Sequence, residues 1–219
     1  MVHIGVIDSG VNREFVKSYH VNIESAAIFN INPSKSCIEI IEYEKDDIEK
    51  WKKGFINHLS DESGHGTAVL SILYQKCPNV YFSLAKILES DNKGYSICLV
   101  EALNWMIDIV RPNFMNISLG TDDERIKKKL YRLTKKAKKM GINIYSAIGG
   151  EKSYPGVFDT VVGVSKDKVV KQDIKKVEMF NSNEKVKIFW NGNWEIVEIE
   201  PSLACAMVLG DTINQKEEN

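Results

Sequence analysis

The hydrophobic positions of the chain fall into short, nearly continuous apolar runs with longer segments between them. MVHIGVID, at residues 1–8, is β-branched and apolar up to an Asp-Ser-Gly turn, which predicts a strand buried on both faces. Runs of the same kind lie at residues 80–88, 114–120, 142–150 and 160–165. Strands of this type belong to parallel sheets, because helices cover both of their faces.

Two segments between these runs carry the period of a helix. Apolar residues recur at helical spacing through residues 96–110, and again through residues 125–140 until Gly141 ends the pattern. Alternating strands and helices predict an α/β fold, a three-layer sandwich with a mostly parallel central sheet and right-handed crossovers. In such a sheet, ligand sites form at the carboxyl ends of the strands.

Three stretches depart from this alternation. Residues 17–62 are mixed and charged, and we expect irregular segments there with an edge hairpin or a helix. KVKIFWNGNWEIVEIE, at residues 185–200, has two alternating runs about Asn-Gly, which predicts a hairpin. The final QKEEN is too polar to pack. We therefore expect a single domain over residues 1–212 and a disordered tail over residues 213–219.

Three polar residues stand where predicted elements begin or end. Asp8 follows the first strand, and His65 lies between two glycines at the start of an apolar run. Ser202 follows a proline, which suits the first turn of a helix. Each residue alone also fits a structural role, as a turn aspartate, a core histidine or a helix cap. Together they follow the order of a known triad, in which the acid orients the imidazole and the imidazole takes the serine proton.

These motifs, taken in order, resemble those of the subtilisin-like serine peptidases, the subtilases. GVIDSGV resembles the catalytic-aspartate motif of that family, GHGTAVLSI its His-Gly-Thr motif and PSLACAMVLG its catalytic-serine helix. AKILESDNKGYSICLVEALNWMID is similar to the strand that flanks the substrate and the helix after it, and MNISLG to the strand of the primary specificity pocket. YPGVFDTVVGV resembles the segment after the oxyanion loop. The resemblance spans residues 2–210, with residues 17–62 and 166–195 poorly matched.

The resemblance implies a serine endopeptidase that hydrolyses peptide bonds through an acyl-enzyme. It assigns the catalytic roles to Asp8, His65 and Ser202. The implied substrate is a peptide or protein, such as a precursor peptide, bound in extended form by β-augmentation. The residues implied to bind it are Gly94, Tyr95, Ser118, Leu119 and Gly120.

Two departures from the family concern the oxyanion. The oxyanion asparagine aligns with Gly150, which leaves the oxyanion region with that glycine and the Ser202 amide. Glu200 and Pro201 replace the usual Gly-Thr before the serine, and proline has no backbone donor. Loss of one oxyanion donor costs about 10²–10³ in kcat, so we expect slow, substrate-restricted turnover. The alternative is a pseudoprotease, a module that binds a peptide or docks a partner protein without turnover.

The charge and composition of the chain argue against several classes of partner. The chain has 29 basic and 30 acidic residues, and its net charge of −1 provides no field for gathering nucleic acid or an anionic membrane. We interpret the basic residues 125–139 as a solvated helix face rather than a docking surface. The four cysteines form no C-x-x-C pair, and neither metal-ligand spacing nor a calcium loop is present, so we expect no metal and no cofactor. Without a secretory leader or a membrane-length apolar run, the sequence predicts a cytoplasmic protein.

Overall fold

A computed structural model describes residues 1–32, 34–35, 37–166, 177–180 and 184–217. Its ten strands in this part of the chain are β1 (His3–Asp8), β2 (Ile23–Asn32), β3 (Cys37–Tyr43), β4 (Tyr81–Lys86), β5 (Phe114–Ile117), β6 (Asn143–Ile148), β7 (Val162–Lys166), β8 (Val177–Phe180), β9 (Lys185–Trp190) and β10 (Asn193–Glu198). The first eight form one sheet in the order β3-β2-β4-β1-β5-β6-β7-β8. Among these described strands only β3 is antiparallel, against β2.

Helices cover both faces of this sheet. They are α1 (Arg13–Ser18), α2 (Lys45–Lys52), α3 (His65–Lys76), α4 (Ser96–Trp105), α5 (Glu124–Lys139) and α6 (Pro201–Glu217), and a π-helical turn over Met106–Val110 extends α4. One core holds side chains from α1, α2, α3, α6 and the hairpin β9–β10, and the other holds side chains from α4 and α5. The predicted three-layer α/β architecture with a mostly parallel sheet is confirmed.

The predicted strands correspond to β1, β4, β5, β6 and β7; the first four lie within the expected ranges, and β7 extends one residue beyond its range, to Lys166. The expected hairpin forms β9 and β10, and its turn places Asn191 and Gly192 at φ 48° and 86°. Residues 17–62 hold more regular structure than expected, because β2 lies inside the sheet between β3 and β4 while α2 packs beside it.

The tail requires a correction. Helix α6 continues through Glu217, beyond the boundary expected at residue 212. Ile213 is 1% exposed and belongs to the core. Packing of this side chain anchors α6 beyond residue 212. Residues 218–219 lie outside the described part of the chain.

Neither a membrane span nor a metal cluster is found in the described residues. No helix there is long and apolar enough to cross a membrane. No group of three or more His, Cys, Asp or Glu side chains there could hold a metal ion. The four cysteines, all within the described residues, form no disulfide bond; Cys37 is exposed and the other three are buried.

Candidate active site

The carboxyl end of β1 carries a buried carboxylate. Asp8 is the last residue of the strand and is 2% exposed. Its Oδ1 accepts hydrogen bonds from the Ser9 amide at 2.8 Å and from His65 Nδ1 at 2.7 Å. A carboxylate can only accept, so Nδ1 carries the hydrogen. Nε2, on the opposite side of the imidazole ring, is therefore the nitrogen that can take a proton.

Side chains hold the start of α3 in place. His65 is the first residue of this helix, and the residue before it, Gly64, has no side chain to act as a cap. The first amides of a helix lack partners within the helix. Three side-chain oxygens accept them: Ser63 Oγ from His65 at 3.2 Å, Ser9 Oγ from Gly66 at 2.9 Å and Asp61 Oδ2 from Thr67 at 2.8 Å. The backbone that carries the imidazole is fixed as a result.

The two glycines beside His65 permit close contacts. A Cβ on Gly66 would lie 2.3 Å from the carbonyl oxygen of Gly10, so the loop after β1 can touch α3 only without that atom. Gly64 adopts φ 82°, and a Cβ there would lie 3.3 Å from ring atoms of Trp190. The sequence analysis noted both glycines, and the structure supplies the physical reason for each.

Asp61 organises the loop that leads into α3. Its carboxylate accepts hydrogen bonds of 2.6 to 3.0 Å from Ser9, Ser63, Gly64 and Thr67. Burial acts to raise the pKa of this carboxyl, but the hydrogen bonds outweigh it and hold the pKa below its ordinary value. Sequence reasoning missed this residue, although an acidic residue just before an uncapped helix start is a usable signal.

The charge of Asp8 makes His65 a stronger base. It raises the pKa of the imidazole above the ordinary value of 6.5, and the hydrogen bond adds to this effect. Burial acts in the opposite direction, since His65 has a side chain only 20% exposed. The imidazolium that forms on proton uptake is thereby stabilised.

Ser202 is the second residue of α6, directly after Pro201 as the sequence predicts. Helix α6 packs against α3 and strands β5, β6 and β7. Burial raises the pKa of the Cys205 thiol in this helix, and the Asp8 charge adds a smaller contribution. Within the described residues, no hydrogen bond joins Ser202 to His65. The structure thus brings Asp8 and His65 into contact, whereas the second predicted contact, between His65 and Ser202, is not formed.

A cavity of about 670 Å³ opens at the start of α6. The loops after β5 and β6 form its walls, and a two-way backbone pairing between Thr121 and Tyr154, at 2.8 and 2.9 Å, ties those loops together. Five residues of the predicted site line it: Ser118, Leu119, Gly120, Gly150 and Ser202.

Position 150 has room for a side chain. A Cβ built on Gly150, or on its neighbour Gly149, meets nothing within 4 Å. Neither glycine has a positive φ, so neither is required by the backbone conformation. Steric crowding therefore does not explain why position 150 lacks an amide side chain.

Gly94 and Tyr95 border a second, smaller cavity of about 290 Å³, which Leu119 and Gly120 also line. A Cβ on Gly94 would lie 2.3 Å from the carbonyl oxygen of Ile87, so this glycine is needed where two segments approach. The side chain of Tyr95 is 59% exposed. The predicted substrate-binding residues therefore line two cavities that share a wall.

Trp190 is a second residue that sequence reasoning missed. It ends β9, packs against the larger core and lays its ring on Gly64, next to His65. The hairpin that contains Trp190 directly precedes α6 in the chain. The contact of the Trp190 indole with Gly64 therefore connects the segment before Ser202 with the start of α3. An aromatic residue beside the Asn-Gly turn is the signal that could have pointed to it.

Comparison with solved structures identifies the architecture. A cold adapted subtilisin-like serine proteinase superposes with a TM-score of 0.67 and 18% identity, over 100% of this chain and 76% of the other. The chain has a subtilisin-like fold. Sphericase aligns with a TM-score of 0.70 and 18% identity, over 100% of this chain and 77% of its own. A lanthipeptide protease aligns with a TM-score of 0.66 and 15% identity, over 95% and 71% of the two chains.

The solved structures support the resemblance that the sequence motifs indicated. No family model matches the sequence, and no curated protein matches it. At identities of 15–18% the likeness establishes the fold.

Proposed function

We propose that this protein is a serine peptidase in which Ser202 is the nucleophile, His65 the general base and Asp8 the residue that orients it. The observation that carries the proposal is the 2.7 Å hydrogen bond from His65 Nδ1 to the buried Asp8. This contact selects the tautomer with a free Nε2 and stabilises the imidazolium, as acyl transfer requires.

The reaction follows from these roles. Ser202 Oγ attacks the peptide carbonyl carbon while His65 Nε2 takes the hydroxyl proton, giving a tetrahedral oxyanion. The C–N bond breaks as the imidazolium returns the proton to the amine, which leaves an acyl-enzyme on Ser202. Water, deprotonated by the same imidazole, then releases the acid and restores the serine.

Few groups among the described residues are available to stabilise the oxyanion. The backbone amide of Ser202 and the positive end of the α6 dipole are available to it. Gly150 supplies no side-chain donor. We therefore propose slow turnover that depends on good positioning of the substrate.

The substrate class is a peptide in extended conformation. It would pair with residues 118–120 and lie between them and residues 94–95, because both segments border the cavities. One structural neighbour is a lanthipeptide protease, which supports a precursor peptide as the substrate. A cytoplasmic location and the possibility of a protein partner remain predictions.

A pseudoprotease is the second candidate. Two observations favour it: Gly150 lacks a donor, and no hydrogen bond between His65 and Ser202 is present in the described residues. In this case the cavities would bind a peptide or a partner protein without cleaving it.

Labelling with a fluorophosphonate probe distinguishes the two functions. We expect a phosphonyl adduct on Ser202 by mass spectrometry, no adduct in Ser202→Ala, and strongly slowed labelling in His65→Ala. Circular dichroism of each variant controls for folding. Equal labelling of wild type and His65→Ala would remove His65 from the mechanism, and no labelling of folded wild type would favour the pseudoprotease.

A further inference from the structure

Two hydroxyls lie between the carboxylates of Asp8 and Asp61. Ser9, which is 1% exposed, has its Oγ 3.2 Å from Asp8 Oδ1 and 2.9 Å from Asp61 Oδ1. Ser63 has its Oγ 2.9 Å from Ser9 Oγ and 3.0 Å from Asp61 Oδ1. Each hydroxyl carries one hydrogen and donates to one acceptor at a time. Asp61 can therefore receive a hydroxyl hydrogen from Ser63 while Ser9 donates to Asp8, or from Ser9 while Ser63 donates to Ser9.

The two carboxylates differ in the other donors that reach them. Asp61 also accepts two amides at 2.8 Å and the Thr67 hydroxyl at 2.6 Å. Apart from the Ser9 hydroxyl, Asp8 accepts hydrogen bonds within the described residues from the Ser9 amide and from His65 Nδ1. A neutral imidazole leaves the Asp8 charge uncompensated, whereas an imidazolium balances it. The Ser9 hydroxyl is therefore most valuable to Asp8 while the imidazole is neutral.

We infer that Ser9 is a positioning residue for His65 and that its hydroxyl hydrogen moves from one carboxylate to the other. The hydrogen is donated to Asp8 while the imidazole is neutral, and to Asp61 once the imidazole is protonated. The movement is a rotation about the C–O bond of the serine, so no proton is transferred and no charge changes. The inference rests on the proposed role of His65 as the base.

The rotation acts at the step in which Ser202 gives up its proton. A hydrogen bond from Ser9 stabilises the Asp8 charge and weakens its pull on the imidazole. Once that hydrogen is on Asp61, the full charge of Asp8 faces the imidazolium. The transition state is therefore stabilised more than it would be by a donor fixed on Asp8.

The charged groups around the imidazole come from several elements. The Asp8 charge on β1 raises the pKa of His65 most, burial opposes it, and the Asp61 charge adds a smaller rise. Lys86, at the end of β4, donates its Nζ to a carbonyl oxygen of the loop before α3, and burial lowers its pKa against three neighbouring carboxylates. From α6, burial raises the pKa of the Cys205 thiol, which stays neutral. The titration of His65 therefore reports the state of both carboxylates.

That titration tests the inference without requiring turnover. NMR of protein with isotope-labelled histidines follows the imidazole, whose resonance is the one absent from His65→Gln. Asp61→Asn should lower the midpoint, because a negative charge is lost and the Ser9 hydrogen then stays on Asp8. Ser9→Ala should raise the midpoint, because it removes a donor to Asp8 that is present mainly while the imidazole is neutral.

Matched variants separate these shifts from general destabilisation. Glu62→Gln removes a charge from an exposed side chain in the same loop, and Ser71→Ala removes a buried hydroxyl farther along α3. Neither should move the midpoint appreciably, because water screens the first and the second lies outside the network. Adding Asp61→Asn to Ser9→Ala should lower the midpoint less than it does in wild type, because the shared hydrogen is gone. Urea unfolding checks that each variant is folded.

The outcomes keep this inference apart from the proposed function. Unmoved midpoints, or shifts of Asp61→Asn and Ser9→Ala in the same direction, would overturn the inference even in an active enzyme. Opposite shifts without fluorophosphonate labelling of wild-type Ser202 would support it and contradict the peptidase. In an active enzyme, Asp61→Asn should also slow labelling about tenfold at pH values above the midpoint. Should Asp61→Asn not fold, the sign of the Ser9→Ala shift decides alone.

Discussion

At the scale of single residues, the proton chemistry depends on one contact. Asp8 is almost fully buried, so its charge acts on the His65 imidazole with little screening by water. Its second oxygen, Oδ2, is buried and has no hydrogen-bond partner among the described residues. The carboxylate is therefore stabilised mainly through Oδ1, where the imidazole binds.

The first prediction concerns this contact. Asp8→Asn should reduce the rate of Ser202 acylation by about 10⁴-fold, because an amide no longer selects the required tautomer. The wild-type rate should rise with pH around a midpoint above 6.5, since the Asp8 charge raises the pKa of His65. In Asp8→Asn that midpoint should move to lower pH. Labelling rates between about pH 5 and 9 measure both effects, and an unmoved midpoint in a folded variant would contradict the orienting role.

A second prediction concerns the missing donor at Gly150. Gly150→Asn should raise kcat about tenfold to a hundredfold, because an amide near the oxyanion stabilises the transition state more than the bound substrate. Stability should stay unchanged, since a Cβ there meets nothing within 4 Å and φ is not positive. Gly149→Asn, equally open, is the matched control. Turnover is measured against Ser202→Ala as the blank, and a folded Gly150→Asn no faster than wild type would show that another group holds the oxyanion.

At the scale of elements, the start of α3 is built by segments distant in sequence. Its amides are bound by side chains of the loops that follow β1 and precede the helix, and Trp190 covers it from the hairpin. Local sequence predicted the helix and its histidine, because apolar spacing and glycines are local signals. It could not predict the roles of Asp61 and Trp190, because they exist only after these segments meet.

A third prediction tests the close contact between Gly66 of α3 and Gly10 in the loop after β1. In the interior of a helix, alanine is normally more favourable than glycine by about 1 kcal/mol. Gly66→Ala should nevertheless destabilise the protein by about 1–3 kcal/mol, because its Cβ would lie 2.3 Å from the carbonyl oxygen of Gly10. Acylation of Ser202 should slow as His65 moves from Asp8. Urea unfolding and probe labelling measure the two effects, with Gly149→Ala as the unobstructed control; a stabilised, fully active Gly66→Ala would refute the contact.

At the scale of the whole molecule, alternating elements predicted the layers but not the order of strands in the sheet. The five continuous apolar runs were visible as strands because each is buried on both faces. β2 was not, because exposed and partly buried polar residues interrupt it around a buried centre at Ala26–Phe29. Strand β8 lies in a segment with no clear pattern, and its pairing with β7 is a tertiary contact.

A fourth prediction follows from two histidines with opposite effects on stability. Burial lowers the pKa of His3 below 6.5, against a weaker effect of Glu24, so its contribution to stability is lost as pH falls below 6.5. Asp8 raises the pKa of His65, so that contribution is complete below pH 6.5 and is lost as pH rises through the raised value. From about pH 7 to 5, His3→Gln should lose less stability than wild type and His65→Gln more. Urea unfolding across this range tests the signs, and parallel curves for all three proteins would contradict both.

The placement of the site on β1, α3 and α6 has a consequence for biosynthesis. Helix α6 packs on α3 and on strands β5, β6 and β7, so it can dock only after those segments have left the ribosome. Chains fold from the N-terminal side as they emerge, and contacts between distant segments form slowly. Asp8 and His65 can therefore meet while Ser202 is still untranslated. A growing chain would contain the base without the nucleophile, and the proposed activity would arise only when α6 docks.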